Sequence, residues 1–171
     1  VTFLAGIGCS GRLPSYCNYY SIASECAPIS ATTREASVKV PFTWKVTGWF
    51  MIGWSAEFEV GDVQALHYFG EDLAAYRDES GELHVLEAHC KHLGAHIGHG
   101  GKVVGDCVEC PFHGWRWGPD GSNRYIPYQP DRPNRGLRLR TYPVREQYGC
   151  IFMWYQPQGK EPQWDLPDIF L

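Results

Sequence analysis

The sequence predicts an all-β domain of stacked antiparallel sheets, with two short cysteine- and histidine-bearing loops at one tip. Three observations predict it. From Thr43 the chain runs in short apolar or alternating stretches of strand length, broken by Gly-, Asp- and Pro-containing turns. No helical period of useful length occurs between Thr43 and Gln156. Two Cys/His segments, Cys90-Lys-His92 and Cys110-Pro-Phe-His113, each follow a stretch that reads as a strand.

Residues 1–42 differ from the rest. Gly6, Gly8, Gly11, the tyrosine-rich Tyr16–Tyr20 and the Ser/Ala/Thr-rich Ser21–Ser37 sustain neither period, so an irregular, loosely ordered leader is expected there. Trp49–Trp54 then reads as an aromatic, apolar strand, and Glu57–Asp62 turns at Gly61-Asp62. Val63–Phe69 and Leu73–Arg77 read as strands, joined through the turn Asp78–Gly81 to a third, Leu83–Ala88, which delivers the chain to Cys90. Lys102–Val104 and Cys107–Glu109 flank Gly105-Asp106, a two-residue hairpin signal that delivers the chain to Cys110. Trp115–Trp117 and Asn123–Ile126 flank Gly118–Gly121 as a further hairpin-like unit. Leu137–Arg140 alternates apolar and basic residues, as a sheet with one wet face does. Cys150–Tyr155 reads as a last, buried strand, followed by a Pro- and Gln-rich tail.

Composition bounds the function. The 171 residues suffice for one domain with a substantial core and fall short of two large ones. Hydrophobic residues make up 44% and aromatics 15%, which is globular rather than disordered. A net charge of -4 gives no basic footprint and argues against nucleic acid. No apolar run approaches the roughly eighteen residues of a membrane span. Val1–Ile7 is apolar but has no preceding basic segment, so no secretory signal is expected. Besides Cys90 and Cys110 there are Cys9, Cys17, Cys26, Cys107 and Cys150. These read as reduced thiols of a cytoplasmic protein, not as a disulfide framework.

The two Cys/His segments carry the chemistry. Seventeen residues separate His92 from Cys110, and each segment supplies one thiolate and one imidazole. Zinc sites commonly draw two cysteines from one loop. One of each donor per loop suits a two-iron cluster, with Cys90 and Cys110 on one iron and His92 and His113 on the other. Zinc held by Cys107, Cys110 and His113 is the competing reading, and it leaves Cys90-Lys-His92 unexplained. His96 and His99 read as solvated loop residues, and His67, His84 and His89 as non-ligands. Cys107 and Cys150 read as small core residues, and Trp115 and Trp117 as packing beneath the loop. Arg116, Arg124, Arg132, Arg135, Arg138 and Arg140 read as a solvated basic face, on which an acidic electron donor can dock.

The order Cys-x-His then Cys-x-x-His, with Gly94, Pro111 and Gly114 around it, resembles the ligand pattern of Rieske [2Fe-2S] proteins. The resemblance implies that Cys90, His92, Cys110 and His113 hold the cluster, with loop amides tuning its potential through the sulfurs. It also implies that Gly94 and Gly114 adopt conformations other residues avoid, and that Pro111 stiffens its loop. Rieske potentials run from about -150 to about +300 mV. High-potential respiratory members pair an extra cysteine from each loop, where this chain has Ala95 and Phe112. They also carry a serine and a tyrosine where it has Trp115 and Trp117. The resemblance therefore implies the low end of the range, with electrons passing from a flavin/iron-sulfur reductase to oxygen chemistry.

The flanks narrow the resemblance. Gly48–Ile52, Glu109–Trp117, Ile126-Pro-Tyr128 and the run through Trp154 to Gly159 are similar to the oxygenase component of 3-ketosteroid 9α-hydroxylases and to sterol 7-desaturases. This implies a Rieske domain over 43–157 and a linker over 158–171 towards a missing catalytic domain. There, two histidines and a carboxylate would hold a mononuclear non-haem Fe(II). No histidine follows His113, so this chain has no catalytic residues of that kind and is expected to relay electrons only. A steroid-like apolar substrate and a head-to-tail homotrimer are implied for the full-length monooxygenase. The alternative is a stand-alone Rieske ferredoxin.

Overall fold

The computed structural model describes residues 46–168, and the expected leader over 1–42 lies outside the described residues. The described residues contain strands β1 (Gly48–Trp54), β2 (Val63–Tyr68), β3 (Glu71–Arg77), β4 (Leu83–Glu87), β5 (Lys102–Val104) and β6 (Cys107–Glu109). They continue with β7 (Arg116–Trp117), β8 (Asn123–Tyr125), β9 (Thr141–Tyr142), β10 (Val144–Gln147) and β11 (Cys150–Tyr155). There is no α-helix among them, only one turn of 3-10 helix at Ser55–Glu57. Three antiparallel sheets result, ordered β1-β11-β10, β2-β3-β4-β9 and β5-β6-β7-β8. The all-β expectation holds.

Strand β3 explains how the sheets stack. Leu73, Ala74, Ala75 and Tyr76 are all buried, yet successive residues enter different cores. Ala74 and Tyr76 join Leu86, Ile97, Val108 and Trp117, beneath the ligand loops. Leu73 and Ala75 join Val85, Ile151 and Met153, against the sheet that contains β11. The period-2 alternation of side chains thus places the middle sheet between two cores, and a strand covered on both faces reads as a continuous apolar run.

The sheet that carries the second ligand loop is built on the β5–β6 hairpin, where Val104 pairs with Cys107 across Gly105-Asp106. Gly105 has φ +64°, which the tight turn demands and glycine supplies without strain. The buried Tyr76 donates its hydroxyl to Asp106 O at 2.9 Å, and Glu79 N–H donates to Gly105 O at 3.1 Å. These bonds lock the hairpin to the middle sheet and so fix the level at which Cys110 emerges.

Two parts differ from expectation. Leu137–Arg140 is not a strand: Arg138 forms only an isolated bridge with Ser122, and regular pairing begins at Thr141. Its alternation comes from Leu139 entering the core while Arg140 turns to Glu71, whose two carboxylate oxygens each lie 3.2 Å from Nη1. Conversely, Val144-Arg-Glu-Gln147 forms the edge strand β10, unrecognised in the sequence because Arg145 and Glu146 are exposed. Charged edges of this kind protect a sheet from pairing with other chains.

Beyond β11 the chain has no strand but is held down. Arg140 Nη2 donates to Gln156 O at 2.6 Å, Trp154 Nε1 to Lys160 O at 2.9 Å, and Trp49 Nε1 to Trp164 O at 2.9 Å. The Trp164 ring meets Trp154 edge-on, with centroids 4.7 Å apart.

Candidate metal centre

Two loops of the same design form the site. In the first, Cys90 O accepts from Gly94 N–H at 2.8 Å and Cys90 N–H donates to Ala95 O at 3.0 Å. In the second, Cys110 O accepts from Gly114 N–H at 3.1 Å and Cys110 N–H donates to Trp115 O at 2.8 Å. Each loop closes on its cysteine through the residues four and five positions on. The fourth is a glycine with positive φ, +76° at Gly94 and +69° at Gly114. An L side chain there would strain the turn, as the residue pattern implies.

This closure sorts the donors. Cys90 and Cys110 are buried at 2% and 3% exposure in the same core. His92 is half-buried and His113 exposed; their ring centroids lie 4.8 Å apart with planes at 72°. The thiols face inward and the imidazoles sit outward as a pair. Trp115 stacks on His92 with centroids 4.6 Å apart and planes at 6°, and donates its indole N–H to Tyr128 Oη at 2.9 Å. Around the imidazoles, Leu93, Phe112 and Tyr128 are each more than half exposed.

Burial pushes the Cys90 thiol up from its ordinary pKa, and the neighbouring Cys110 adds to the rise. The His92 backbone N–H and the Trp117 indole act the other way. A bound metal supplies the positive charge that deprotonates such thiols outright. Two buried soft donors and two outward imidazoles fit an elongated two-iron cluster, which takes one pair at each end.

A compact single-ion cage is a different geometry. Among the described residues, Asp78, Glu82 and His84 are the one group whose donor atoms all lie within 4.8 Å of one another. Neither Cys107, Cys110 and His113 nor Cys90, His92, Cys110 and His113 form such a single-ion group among the described residues. Cys107 Sγ instead lies 3.1 Å from Asp106 Oδ1, and burial, with that carboxylate, pushes its thiol up to about 12. Asp78 is the cap of the β3–β4 turn. Its Oδ1 accepts from Ser80 N–H at 2.9 Å, Ser80 Oγ at 2.6 Å and Glu82 N–H at 2.9 Å, while Oδ2 pairs with His84 Nε2 at 2.9 Å.

The remaining histidines divide. His67 Nδ1 pairs with Asp72 Oδ1 at 2.7 Å, and His89 Nε2 lies 3.9 Å from Asp72. His99 is exposed, as expected, but His96 is half-buried and its Nδ1 has no hydrogen-bond partner. Burial, then the nearby His99 and His89, lower the His96 pKa. Arg140 and Arg116 also depart from a solvated basic face, the first bound to Glu71 and the second to Glu109 Oε2 at 2.8 Å. The Trp115–Tyr128 bond was missed in the sequence. Ile126-Pro-Tyr128 stood out there, but no spacing rule ties a tyrosine to an indole thirteen residues earlier.

Residues 48–143 match the description of the Rieske [2Fe-2S] domain. The chain is similar to a cholesterol 7-desaturase of Ciona intestinalis, 42% identical over 71% of this chain and 26% of that protein. It is also similar to the oxygenase component of a 3-ketosteroid-9-alpha-monooxygenase of Rhodococcus rhodochrous, 39% identical over 71% of this chain and 32% of that one. It therefore spans about a quarter to a third of the length of these relatives. Among solved structures, the reduced complex between oxygenase and ferredoxin in carbazole 1,9a-dioxygenase superposes with a TM-score of 0.56 at 28% identity, over 62% of this chain and 28% of that one. No helix among the described residues is long and apolar enough to cross a membrane. The fold, the paired donors and the match over 48–143 together establish that this chain belongs to the Rieske [2Fe-2S] family, whose domain binds a [2Fe-2S] cluster.

Proposed function

We propose that Cys90 and Cys110 ligate one iron and His92 and His113 the other, and that this chain is the electron-relay domain of a Rieske-type monooxygenase acting on a steroid-like apolar substrate. The observation that carries the reading is the sorting of the donors, with thiols 2% and 3% exposed and imidazoles paired at the outer surface. Bound there, the cluster supplies one-electron redox chemistry. The protein's own part is to bury the thiolate end, hold His92 against Trp115 and keep the imidazole end near a partner. Leu93, Phe112 and Tyr128 form an apolar rim there, suited to brief docking of a flavin/iron-sulfur reductase or of a catalytic domain. Steroid-acting names among the relatives support the substrate class. On this reading residues 43–157 are the Rieske domain, and 158–171 lead towards a catalytic domain with a mononuclear Fe(II), in a protein that forms a homotrimer. Free thiols at Cys107 and Cys150 support a reducing, cytoplasmic setting.

A second reading is a self-sufficient Rieske ferredoxin. Reading the coding sequence past Leu171 separates the two. An in-frame segment bearing a carboxylate and two histidines, whose product hydroxylates a 3-ketosteroid or desaturates a sterol when given NADH and a reductase, supports the oxygenase. A stop codon followed by unrelated sequence, with a chain that only passes electrons to an acceptor protein, contradicts it.

A further inference from the structure

The two tryptophans of the second loop have different surroundings. The Trp115 N–H has an acceptor in Tyr128 Oη. Trp117 is fully buried, and its Nε1 has no hydrogen-bond partner within the protein. A buried donor without a partner is costly and uncommon, so what lies beside it matters. Trp117 shares the buried core of Cys90 and Cys110, which puts a ligand sulfur in the same cluster as the unpartnered N–H, and the indole acts to lower the Cys90 thiol pKa.

We propose that the Trp117 indole N–H donates to the Cys90 sulfur when the cluster is bound, and that this bond sets the reduction potential of the centre. The inference rests on the assignment of Cys90 as a ligand. In the cluster, Cys90 is a thiolate that bears charge, so it accepts more strongly than a thiol does. Adding one electron raises the negative charge on the cluster and its sulfurs, so the N–H···S bond is stronger in the reduced state. Strengthening on reduction means that the bond favours reduction and raises the potential, one of the recognised ways a protein tunes an iron–sulfur centre. The lack of a hydroxyl at position 117 is therefore not the lack of a donor. Trp117 is a positioning and tuning residue, and Cys90 remains the ligand.

The test compares the cluster-loaded chain with one in which the Trp117 indole is replaced by benzothiophene, which has the same shape but lacks the N–H, and with Trp117→Phe. Potentials are read by redox titration, and iron, sulfide and the EPR signal are measured on the same samples. We expect the isostere to keep two irons and two sulfides. Its reduction equilibrium should shift about tenfold towards the oxidised form, about 59 mV for one electron. In the unaltered chain, pulsed EPR after exchange into deuterium oxide should show a slowly exchanging proton coupled to the cluster, absent from the isostere. An isostere with a normal cluster and an equilibrium within about twofold of the unaltered chain overturns the inference and leaves the ligand assignment intact. An unaltered chain without a Rieske signal overturns both. If Trp117→Phe does not load, the isostere and the proton measurement decide.

Discussion

Trp115 lies flat on His92, ring centroids 4.6 Å apart and planes within 6°, while its N–H is bonded to Tyr128 Oη. The indole therefore fixes an imidazole that its own loop leaves half-buried. Trp115→Ala is expected to cost about 3–5 kcal/mol, the usual range for emptying a buried aromatic site. It should also loosen the histidine end, which iron retention on gel filtration will register. Tyr128→Phe should cost at most about 1 kcal/mol, because Tyr128 is exposed and water can replace its hydroxyl. If Tyr128→Phe proves as harmful as Trp115→Ala, the indole is not what orients His92.

Gly94 and Gly114 hold the same place in the two loops, but only one is crowded. A Cβ on Gly94 meets nothing within 4 Å, whereas one on Gly114 lies 3.0 Å from Pro127 Cγ. Gly94→Ala should cost only the strain of a positive φ, about 1–2 kcal/mol. Gly114→Ala adds a contact that Pro127 must relieve, so it should be the more destabilising of the pair. Urea titration of both variants orders them, and equal or reversed costs would refute this difference between the loops.

Cysteine substitutions separate cluster from core. Cys90→Ser and Cys110→Ser should abolish the visible absorption of the cluster. Cys107→Ala should keep two irons per chain, because its thiol is bonded to Asp106. Loss of the metal from Cys107→Ala would return that residue to the ligand set.

Asp78 makes stability depend on acid. Burial alone would raise its carboxyl, but Ser80, His84 and the Glu82 amide outweigh it and bring the pKa down to about 2. A depressed carboxyl stabilises the folded state above its unfolded pKa of about 3.9, and that contribution is lost as the pH falls through about 2. The depression is equivalent to about 2 kcal/mol at neutral pH. Asp78→Asn should therefore be less stable than the parent at pH 7, with the gap in unfolding free energy closing between about pH 5 and pH 2. A gap that does not change with pH would show that the carboxylate charge contributes nothing.

Much of this was legible in the sequence for identifiable reasons. Gly105-Asp106 between two short apolar runs specifies a hairpin locally, and β5 and β6 appear with the expected ends. The candidate donors Cys90, His92, Cys110 and His113 stand out in the sequence because each pair falls within one short loop. Long-range effects were not legible. Arg138 and Arg140 follow an alternating pattern, but Glu71, sixty-nine residues from Arg140, decides where the second one goes. Val144–Gln147 looks too polar for a strand because an edge strand exposes its charges, and only its pairing with β11 makes it one. The unpartnered Trp117 N–H was equally hidden, since no pattern within its own strand shows that the indole is buried without an acceptor.

The most direct test of the centre is an EPR spectrum of the anaerobically purified, dithionite-reduced chain, with iron, acid-labile sulfide and zinc counted on the same sample. A rhombic signal of low average g, with two irons and two sulfides per chain, is the predicted result. An EPR-silent sample that carries one zinc and no sulfide would contradict it.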